Sequence, residues 1–263
     1  MKTNVLSSSQ RSMPTLSFAH GAKRSLVNPA RTASGENHLL ETLLAEGCSR
    51  SALAKSQRVS LPAGTRLLEA GQVGADAYFP ASGIISLQSE GLHGESTQIA
   101  MIGREGFLGS AAILGADATF HHAFMLTDGS AHRLKSSLLR EAFDTDAVLA
   151  ARLMLYTQAL ISQIAMGVIC NRFHTIEQQL CTRMLSMLDR QSDSRLDLTH
   201  ERLANMLGVR RESITMAARV LKMRGVIEYG RGFMSVIDVP LMETASCECR
   251  LVIKREYQRL LQH

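Results

Sequence analysis

A run of polar residues between Arg210 and Thr215 carries side chains suited to reading bases and holding phosphates. Arginine matches guanine O6 and N7 with two hydrogen bonds and glutamate accepts from cytosine N4, so Arg210, Arg211 and Glu212 could read base edges. Ser213 and Thr215 could contact phosphates or a base edge. Grouped at the start of a helix, these residues have the chemistry of a helix that enters the major groove.

Two helices joined by a glycine turn would have to position this polar run. Thr199 is a suitable N-cap for the first helix, because its hydroxyl can accept from a backbone N–H of the first turn. Gly208 would end that helix in the left-handed conformation that glycine adopts at little cost. The apolar residues at helical spacing are Leu203, Ala204, Met206 and Leu207 in the first helix and Ile214, Ala217, Ala218 and Leu221 in the second. The same spacing is also that of an ordinary helical hairpin.

A short β-hairpin is predicted to follow the second helix. Residues 226–229 and 234–237 would be its strands, with a turn at Gly230, Arg231 and Gly232. This hairpin would act as a wing beside the helix pair, with Arg231 placed to contact a phosphate. Thr199 is a second candidate phosphate contact.

The segment GVRRESITMAARVLKMRGVI resembles the winged helix-turn-helix of the Crp/Fnr family of bacterial transcription regulators. In that family an Arg-Glu pair at the start of the recognition helix reads the half-site, and the matching positions here are Arg211 and Glu212. The resemblance implies binding of double-stranded DNA. It leaves open whether the output is activation or repression.

Short apolar runs punctuated by glycine fill residues 59–134, after a helical pattern that begins at Glu36. This sequence pattern is typical of many short antiparallel strands in a barrel or sandwich. The segments LPAGTRLLEAG and YFPASGIISL resemble the β-roll of the cyclic-nucleotide-binding domain in Crp/Fnr proteins. The two resemblances follow one another in the order that the family uses.

The effector cassette of that family is incomplete in this chain. Cyclic-nucleotide binders carry a Gly-Glu pair for the ribose and an Arg-Ser or Arg-Thr pair for the phosphate, whereas Gly109 and Ser110 stand where Gly-Glu is expected. His121 and His122 lie near the expected arginine, and no arginine occurs in residues 105–132. A buried phosphate would lack its compensating cation, so tight binding of cyclic AMP or cyclic GMP is not predicted. Gly109, Ser110 and His121 are the candidate lining of a pocket for an unknown small effector.

Residues 146–173 are predicted to form one helix of roughly 40 Å. One stripe alternates by four and three, as a coiled-coil seam does: Leu149, Leu153, Tyr156, Leu160, Gln163, Gly167, Cys170 and His174. A second stripe comprises Leu155, Ala159, Ser162, Met166, Ile169, Phe173, Ile176 and Leu180. One stripe could pair with a twin subunit while the other packs on its own roll, and the family resemblance implies a homodimer. Such a dimer would place two recognition helices about 34 Å apart over an inverted repeat.

This helix also passes a first test for a membrane span, since residues 153–171 carry no formal charge. Polar side chains argue against a span because they are costly in lipid; they are Thr157, Gln158, Ser162, Gln163 and Asn171. We therefore predict a helix of a soluble, cytoplasmic protein with no membrane partner.

Five cysteines are scattered without a CxxC pair: Cys48, Cys170, Cys181, Cys247 and Cys249. They favour a reduced cytoplasmic setting. On a tail helix beginning near Leu241, the side chains of Cys247 and Cys249 would diverge by ~200°. In an extended or frayed tail these two could be redox-active or bind a metal with other ligands, but packed or half-exposed thiols are the favoured interpretation. No metal site and no cofactor are predicted.

Length and composition are those of an ordinary soluble protein with two domains. The 263 residues are 45% hydrophobic and 20% charged, with a formal net charge of +5. The positive charge suits a polyanionic partner without requiring one.

The predicted fold class is α+β: an N-terminal β-roll like a cyclic-nucleotide-binding domain, a long dimerisation helix and a C-terminal winged helix-turn-helix. The predicted parts are a disordered basic leader (1–35), a β-roll sensor domain with flanking helices (36–145), the dimerisation helix (146–173), the winged helix-turn-helix (174–240) and a helical tail (241–263).

These features predict a homodimeric, sequence-specific transcription regulator, with DNA, RNA polymerase and a small effector as candidate partners. The alternative is a ligand-sensing regulatory subunit whose helix-turn-helix mediates protein contacts. The histidines and carboxylates form no recognisable catalytic constellation, so no enzyme activity is predicted.

Overall fold

The computed structural model describes residues 35–191 and 195–261. The predicted leader lies outside this part of the chain except for Gly35, as do residues 192–194 of the link before the helix pair and residues 262–263 of the tail. The described residues form an N-terminal β-roll, a long helix and a C-terminal winged helix-turn-helix. The α+β class and the order of these parts are as predicted.

The β-roll consists of two antiparallel sheets and three short helices, two of which precede the first strand. Its elements are α1 (His38–Ala45), α2 (Arg50–Leu53), β1 (Gln57–Leu61), β2 (Arg66–Leu68), β3 (Asp76–Ser82), β4 (Ile85–Glu90), β5 (Ser96–Ile102), α3 (Ser110–Ile113), β6 (His121–Met125) and β7 (Gly129–Lys135). One sheet has the order β1-β7-β3 and the other β2-β6-β4-β5. The sheets enclose a core that includes the fully buried side chains of Phe79, Ile85, Ile102 and Met125.

Two helices, α4 (Ser136–Thr145) and α5 (Ala147–Phe173), lead out of the roll. Asp146 separates them and caps α5, because its carboxylate accepts from the N–H groups of Val148 and Leu149 at 3.0 Å each. The same carboxylate accepts from the backbone N–H and the hydroxyl of Ser49. The start of the long helix is therefore tied to the helical segment that precedes the roll.

The stripe of α5 with coiled-coil spacing packs inside the chain. Leu149, Leu153 and Tyr156 have no exposed surface, and Leu160 and Cys170 are also buried. Of the two predicted stripes, this is the one that packs on the roll, since alternation by three and four marks any helix face that is buried along its length and not a subunit seam alone. Along the second stripe the solvent exposure of the side chains rises within α5, from buried Ala159 to exposed Ile169 and Phe173. The exposed large apolar side chains of α5 are Val148, Met154, Ile161, Val168, Ile169 and Phe173.

Of the helices in the described residues, α5 is long and apolar enough to cross a membrane by length and composition. The core helix of a soluble protein meets the same criterion. The inner face of α5 is buried against the β-roll, as the face of a core helix is.

Within residues 176–191 and 195–261, the C-terminal part contains five helices and a small sheet. Its elements are α6 (Ile176–Leu188), β8 (Arg195–Leu196), α7 (His200–Leu207), α8 (Arg211–Met223), β9 (Ile227–Gly230), β10 (Phe233–Val236), α9 (Val239–Ala245) and α10 (Cys249–Leu261). The predicted hairpin is present, and β8 extends it to a sheet of order β8-β10-β9. The sequence analysis missed β8, because two residues are too few to show an alternation of apolar side chains.

The single helix predicted for the tail is wrong. Helix α9 ends at Ala245, and Ser246 adopts an extended backbone with its N–H and hydroxyl both bonded to the carbonyl of Glu243. Cys247 therefore lies outside any helix, and Cys249 is the first residue of α10. The divergence expected for two cysteines on one continuous helix does not apply.

A column of aromatic rings joins the roll to α5 and α10. The rings of Phe79 and Phe107 stack with centroids 5.3 Å apart, Tyr156 lies 5.1 Å from Phe107, and Tyr257 meets Tyr156 edge-on at 6.5 Å. A Cβ at Gly106 would lie 2.0 Å from Cε2 of Tyr156. Close packing therefore requires a residue without a side chain at position 106.

We expect Gly106→Ala to lower the free energy of unfolding by about 2–3 kcal/mol, because the Tyr156 ring has no space to retreat within the core. In Gly167→Ala the added Cβ has no atom within 4 Å, so this change within α5 should be neutral or stabilising by up to about 1 kcal/mol. Urea unfolding followed by circular dichroism measures both. Equal stabilities of the two variants would contradict the role assigned to the aromatic column.

Candidate nucleic-acid interface

Helices α7 and α8 form the helix pair on which the predicted site residues lie. Thr199 caps α7 by accepting from the N–H of Arg202 at 3.1 Å, as predicted. Gly208 ends α7 with φ of 64°, the left-handed conformation expected for this turn. The inner faces of both helices are buried, so their relative orientation is set by packing.

The predicted base-reading residues share an exposed surface at the start of α8. Arg210, Arg211, Glu212 and Thr215 are exposed, and Ser213 is half-buried. The structure thus brings the whole polar run to one end of one helix, while Ile214 faces the core.

Two further residues extend this surface, and one of them, Arg219, was missed by the sequence analysis. Met216 and Arg219 are exposed on α8, and Arg219 lies one helical turn beyond Thr215. The spacing 211, 215, 219 could have revealed Arg219, since residues four apart share a helix face.

Arg211 and Thr215 make contacts with the start of α7. Nε of Arg211 lies 3.9 Å from a carboxylate oxygen of Glu201, with both side chains more than half exposed, so the pair holds Arg211 only weakly. The Thr215 hydroxyl lies 3.1 Å from Nδ1 of His200 and donates to the carbonyl of Arg211 at 3.0 Å. Burial and, after it, the positive charge of Arg211 lower the pKa of His200 from its ordinary value.

The wing packs against both helices of the pair. The Tyr229 ring of β9 lies 5.0 Å from the His200 ring, and Nζ of Lys222 lies 4.9 Å above Tyr229. Arg231 is exposed at the turn between β9 and β10, beside Gly232. The candidate phosphate contact at Arg231 is therefore open to solvent on an element fixed to the helix pair.

The candidate effector pocket in the roll is small. Gly109, Ser110 and His121 do line one cavity, but its volume is about 20 Å³. Gly109 has φ of 138° and a Cβ there would lie 2.9 Å from Cβ of Ala77, so the backbone approaches β3 closely. Burial and the neighbouring His122 lower the pKa of His121. This space is far below the several hundred Å³ of a typical small-molecule site.

A larger cavity of about 350 Å³ lies where α1, α5, α6 and α10 meet. Its lining includes His38, Arg104, Arg190, Lys254 and Tyr257. The buried Tyr257 hydroxyl has no hydrogen-bond partner among the described residues. The sequence analysis missed this cavity because its walls come from widely separated segments.

Buried polar contacts connect α6 to the roll and to α10. Arg190 of the α6 C-terminus donates to Glu105 at 2.7 Å, and Arg183 donates to Gln98 at 2.8 Å. Arg250 makes two 2.7 Å hydrogen bonds to the Asp189 carboxylate. Bidentate pairs of this kind fix orientation as well as proximity.

The helix pair also contacts the roll directly. The Thr97 hydroxyl of β5 lies 3.4 Å from the carbonyl of Met206, and the guanidinium of Arg202 lies 5.9 Å from the Phe124 ring. A Cβ at Gly208 would come within 3.2 Å of the Thr97 hydroxyl oxygen. The turn between α7 and α8 is therefore packed on the sheet that contains β5 and β6.

Two family models match this chain in succession. Residues 58–146 match the cyclic nucleotide-binding domain, and residues 178–245 match the Crp-like helix-turn-helix domain. Together the matches cover more than half of the chain. The chain belongs to the Crp/Fnr family. This Crp/Fnr protein is accordingly a transcription regulator with a cyclic-nucleotide-binding-type domain and a helix-turn-helix domain.

Solved structures of Crp/Fnr proteins share its fold. A Crp/Fnr regulator from Eubacterium rectale has a TM-score of 0.63 at 15% identity, covering 77% of this chain and 96% of that one. A CRP/FNR-family transcriptional regulator from Thermus thermophilus has a TM-score of 0.60 at 21% identity, covering 72% and 98%. FixK2 from Bradyrhizobium japonicum has a TM-score of 0.59 at 15% identity, covering 73% and 98%. Among curated proteins, none matches this sequence.

We expect Asp189→Asn in this Crp/Fnr protein to lower the free energy of unfolding by about 3 kcal/mol at pH 7, because Arg250 loses its buried counter-charge. Burial opposes ionisation of Asp189, but hydrogen bonds and charge from Arg250 and Lys254 outweigh it and hold the Asp189 pKa below its ordinary 3.8. A depressed carboxylate pKa stabilises the fold above the unfolded-state pKa, and this contribution is lost as pH falls through the folded-state value. The difference from wild type should therefore shrink below pH 3.8.

Thermal unfolding between pH 2 and pH 7 measures this effect. Asp144→Asn is the matched control, since Asp144 pairs with Arg140 on the surface of α4 with both side chains over 40% exposed. That variant should change stability by less than about 0.5 kcal/mol. If Asp189→Asn lost the same stability at every pH, the stabilisation would not come from the ion pair between Asp189 and Arg250.

Proposed function

We propose that this Crp/Fnr protein is a cytoplasmic homodimer that binds DNA through α8 and reads an inverted-repeat operator. The observation that carries the proposal is the exposed polar surface of α8, where Arg210, Arg211, Glu212 and Thr215 stand together at the helix start. The chain's formal charge of +5 favours approach to a polyanion. RNA polymerase and a small effector are further proposed partners, and no catalytic activity is proposed.

Arg211 and Glu212 are the proposed base readers, with Arg210 as a third. Arg211 is exposed and only loosely paired with Glu201, so its guanidinium is available to donate two hydrogen bonds to a guanine. The Thr215 hydroxyl already contacts His200 and the Arg211 carbonyl. Thr215 would therefore contribute mainly through its methyl group, which suits contact with a thymine methyl.

Three residues are proposed to hold phosphates and set the register on the duplex. Ser213 lies at the start of α8, Thr199 caps α7, and Arg231 stands at the tip of the wing. Helix N-termini present free N–H groups and a positive dipole end, both of which favour an anion. These contacts would strengthen binding on every sequence equally.

The exposed face of α5 is the proposed dimer interface. Met154, Ile161 and Val168 are each at least half exposed and stand seven residues apart. Apolar residues that recur every seven positions let two helices pair along a seam. Large apolar side chains at this spacing, uncovered in a single chain, favour a second copy of the same helix as their cover.

An effector other than a cyclic nucleotide is proposed to act on this regulator. The cavity lined by Gly109, Ser110 and His121 is about 20 Å³ and has no arginine in its lining. The direct packing of Gly208 and Met206 on β5 supplies a mechanical route from the roll to the helix pair. An effector that altered the roll would shift the population of helix-pair orientations.

We expect selection from a random DNA pool to return an inverted repeat for wild type and a weakened G preference for Arg211→Ala, with a loss of about 1–3 kcal/mol at that base. Arg231→Ala should weaken binding about equally on all sequences and reduce the salt slope by about 1. Arg140→Ala, on the surface of α4, is the matched charge control and should bind like wild type. Recovery without a preferred motif would instead favour the regulatory-subunit alternative.

We expect Ile161→Glu to convert the protein largely to monomer, because a charge in an apolar seam must be desolvated on pairing. Sedimentation velocity at micromolar concentration measures the assembly state. Leu92→Glu, at a fully exposed position in the turn between β4 and β5, is the control and should assemble like wild type. A dimeric Ile161→Glu would place the interface elsewhere.

A further inference from the structure

Three cysteines and a histidine converge where α5 ends and α10 begins. The ligand atoms of Cys170, His174, Cys247 and Cys249 all lie within 4.8 Å of one another. Sγ of Cys170 is 3.6 Å from Sγ of Cys247, and Sγ of Cys249 is 3.4 Å from Nδ1 of His174. Three sulfur donors and one nitrogen donor therefore surround one point.

The fold builds this group from two segments that are far apart in the sequence. Cys170 lies in the last turn of α5, and His174 is the residue directly after that helix, one turn further along the same face. Cys247 lies in the connection between α9 and α10, and Cys249 begins α10. The break between α9 and α10 turns both thiols toward the end of α5.

The distances suit tetrahedral coordination by zinc. With Zn–S near 2.3 Å and Zn–N near 2.0 Å, the ligand atoms of a tetrahedral site lie about 3.5–3.8 Å apart. The 3.6 Å and 3.4 Å separations are close to this range. The longest separation of up to 4.8 Å needs only a small inward adjustment of side chains.

The surroundings are those of a closed site. Cys170, Cys247 and Cys249 are 8%, 5% and 1% exposed, and the His174 side chain is 13% exposed. Four protein ligands would leave no coordination position for water or substrate. Such closed Cys₃His sites stabilise structure rather than catalyse reactions.

Neighbouring groups orient two of the four ligands. A carboxylate oxygen of Glu248 lies 3.4 Å from Nε2 of His174, where it can hold the proton on that nitrogen and leave Nδ1 free to ligate. The Thr182 hydroxyl accepts from the N–H of Cys247 at 3.2 Å and lies 3.0 Å from its Sγ. Its proton is then free to donate to Sγ, an arrangement that suits a thiolate ligand.

We propose that Cys170, His174, Cys247 and Cys249 form a structural site for a thiophilic divalent cation, with zinc as the expected ion. Binding exchanges the three thiol protons for one Zn²⁺, so the protons are released to solvent. The ion would fasten the start of α10 to the end of α5, beside the His174–Thr175 connection into α6. This proposal goes beyond DNA binding and does not depend on it.

The test is the zinc content of the full-length, reduced protein. The protein is stripped with a chelator, incubated with zinc chloride, passed through a desalting column and measured by atomic emission. We expect about one zinc per chain, and a melting temperature at least about 5 °C higher with zinc than without it. Cys249→Ser and His174→Ala should each weaken zinc binding at least about 10-fold in a competition titration with a chromophoric chelator.

Cys48→Ser is the matched control, because Cys48 is a buried thiol outside the group and should leave zinc uptake unchanged. The zinc content of the wild-type protein tests the proposal even where a variant of a ligand residue folds poorly. Less than about a tenth of an equivalent in the reduced wild type would overturn the proposal. Equal uptake by the triple variant Cys170→Ser/Cys247→Ser/Cys249→Ser would overturn it as well. Neither the zinc content nor the zinc affinity involves DNA. A protein that binds no zinc could therefore still bind its operator as proposed, and the two proposals fail separately.

Discussion

The burial of one face of α5 is the constraint on which the rest of this Crp/Fnr protein depends. Tyr156 has no exposed surface and stands between Phe107 of the roll and Tyr257 of α10. Gly106 leaves the space that this ring fills. The roll, the long helix and the C-terminal helix therefore share one core, so none of them can shift without disturbing the other two.

The helix-turn-helix is held to this frame by polar contacts as well as by apolar packing. Arg183 and Arg190 of the α6 region contact Gln98 and Glu105 of the roll, and Gly208 packs on Thr97. Polar contacts in a buried junction have well-defined geometry and are costly to break singly. They are suited to hold α8 in a fixed orientation relative to the roll.

The cysteine group and the cavity lined by Arg190 and Tyr257 occupy the same region of the molecule, around the junction of α5, α6 and α10. Helix α10 contributes to both features, through Cys249 at its start and Tyr257 further along. A helix fastened at its first residue loses conformational freedom along its length, which lowers the cost of packing it on α5. The proposed metal site and the aromatic column would thus support the same contact.

Much of the architecture could be read from the sequence, because its causes are local. Periodic apolar residues, the caps at Asp146 and Thr199 and the turn at Gly208 specify helices without reference to distant residues. The exposed position of Arg211 and Glu212 follows from the buried position of Ile214 on the same helix.

Tertiary structure alone decided which stripe of α5 is buried, since both stripes have apolar spacing and only the roll's position selects one. It also decided that the chain breaks between α9 and α10, and that Cys170 and Cys247 meet across 77 residues. Sequence spacing carries no information about a distance that depends on how separate helices pack.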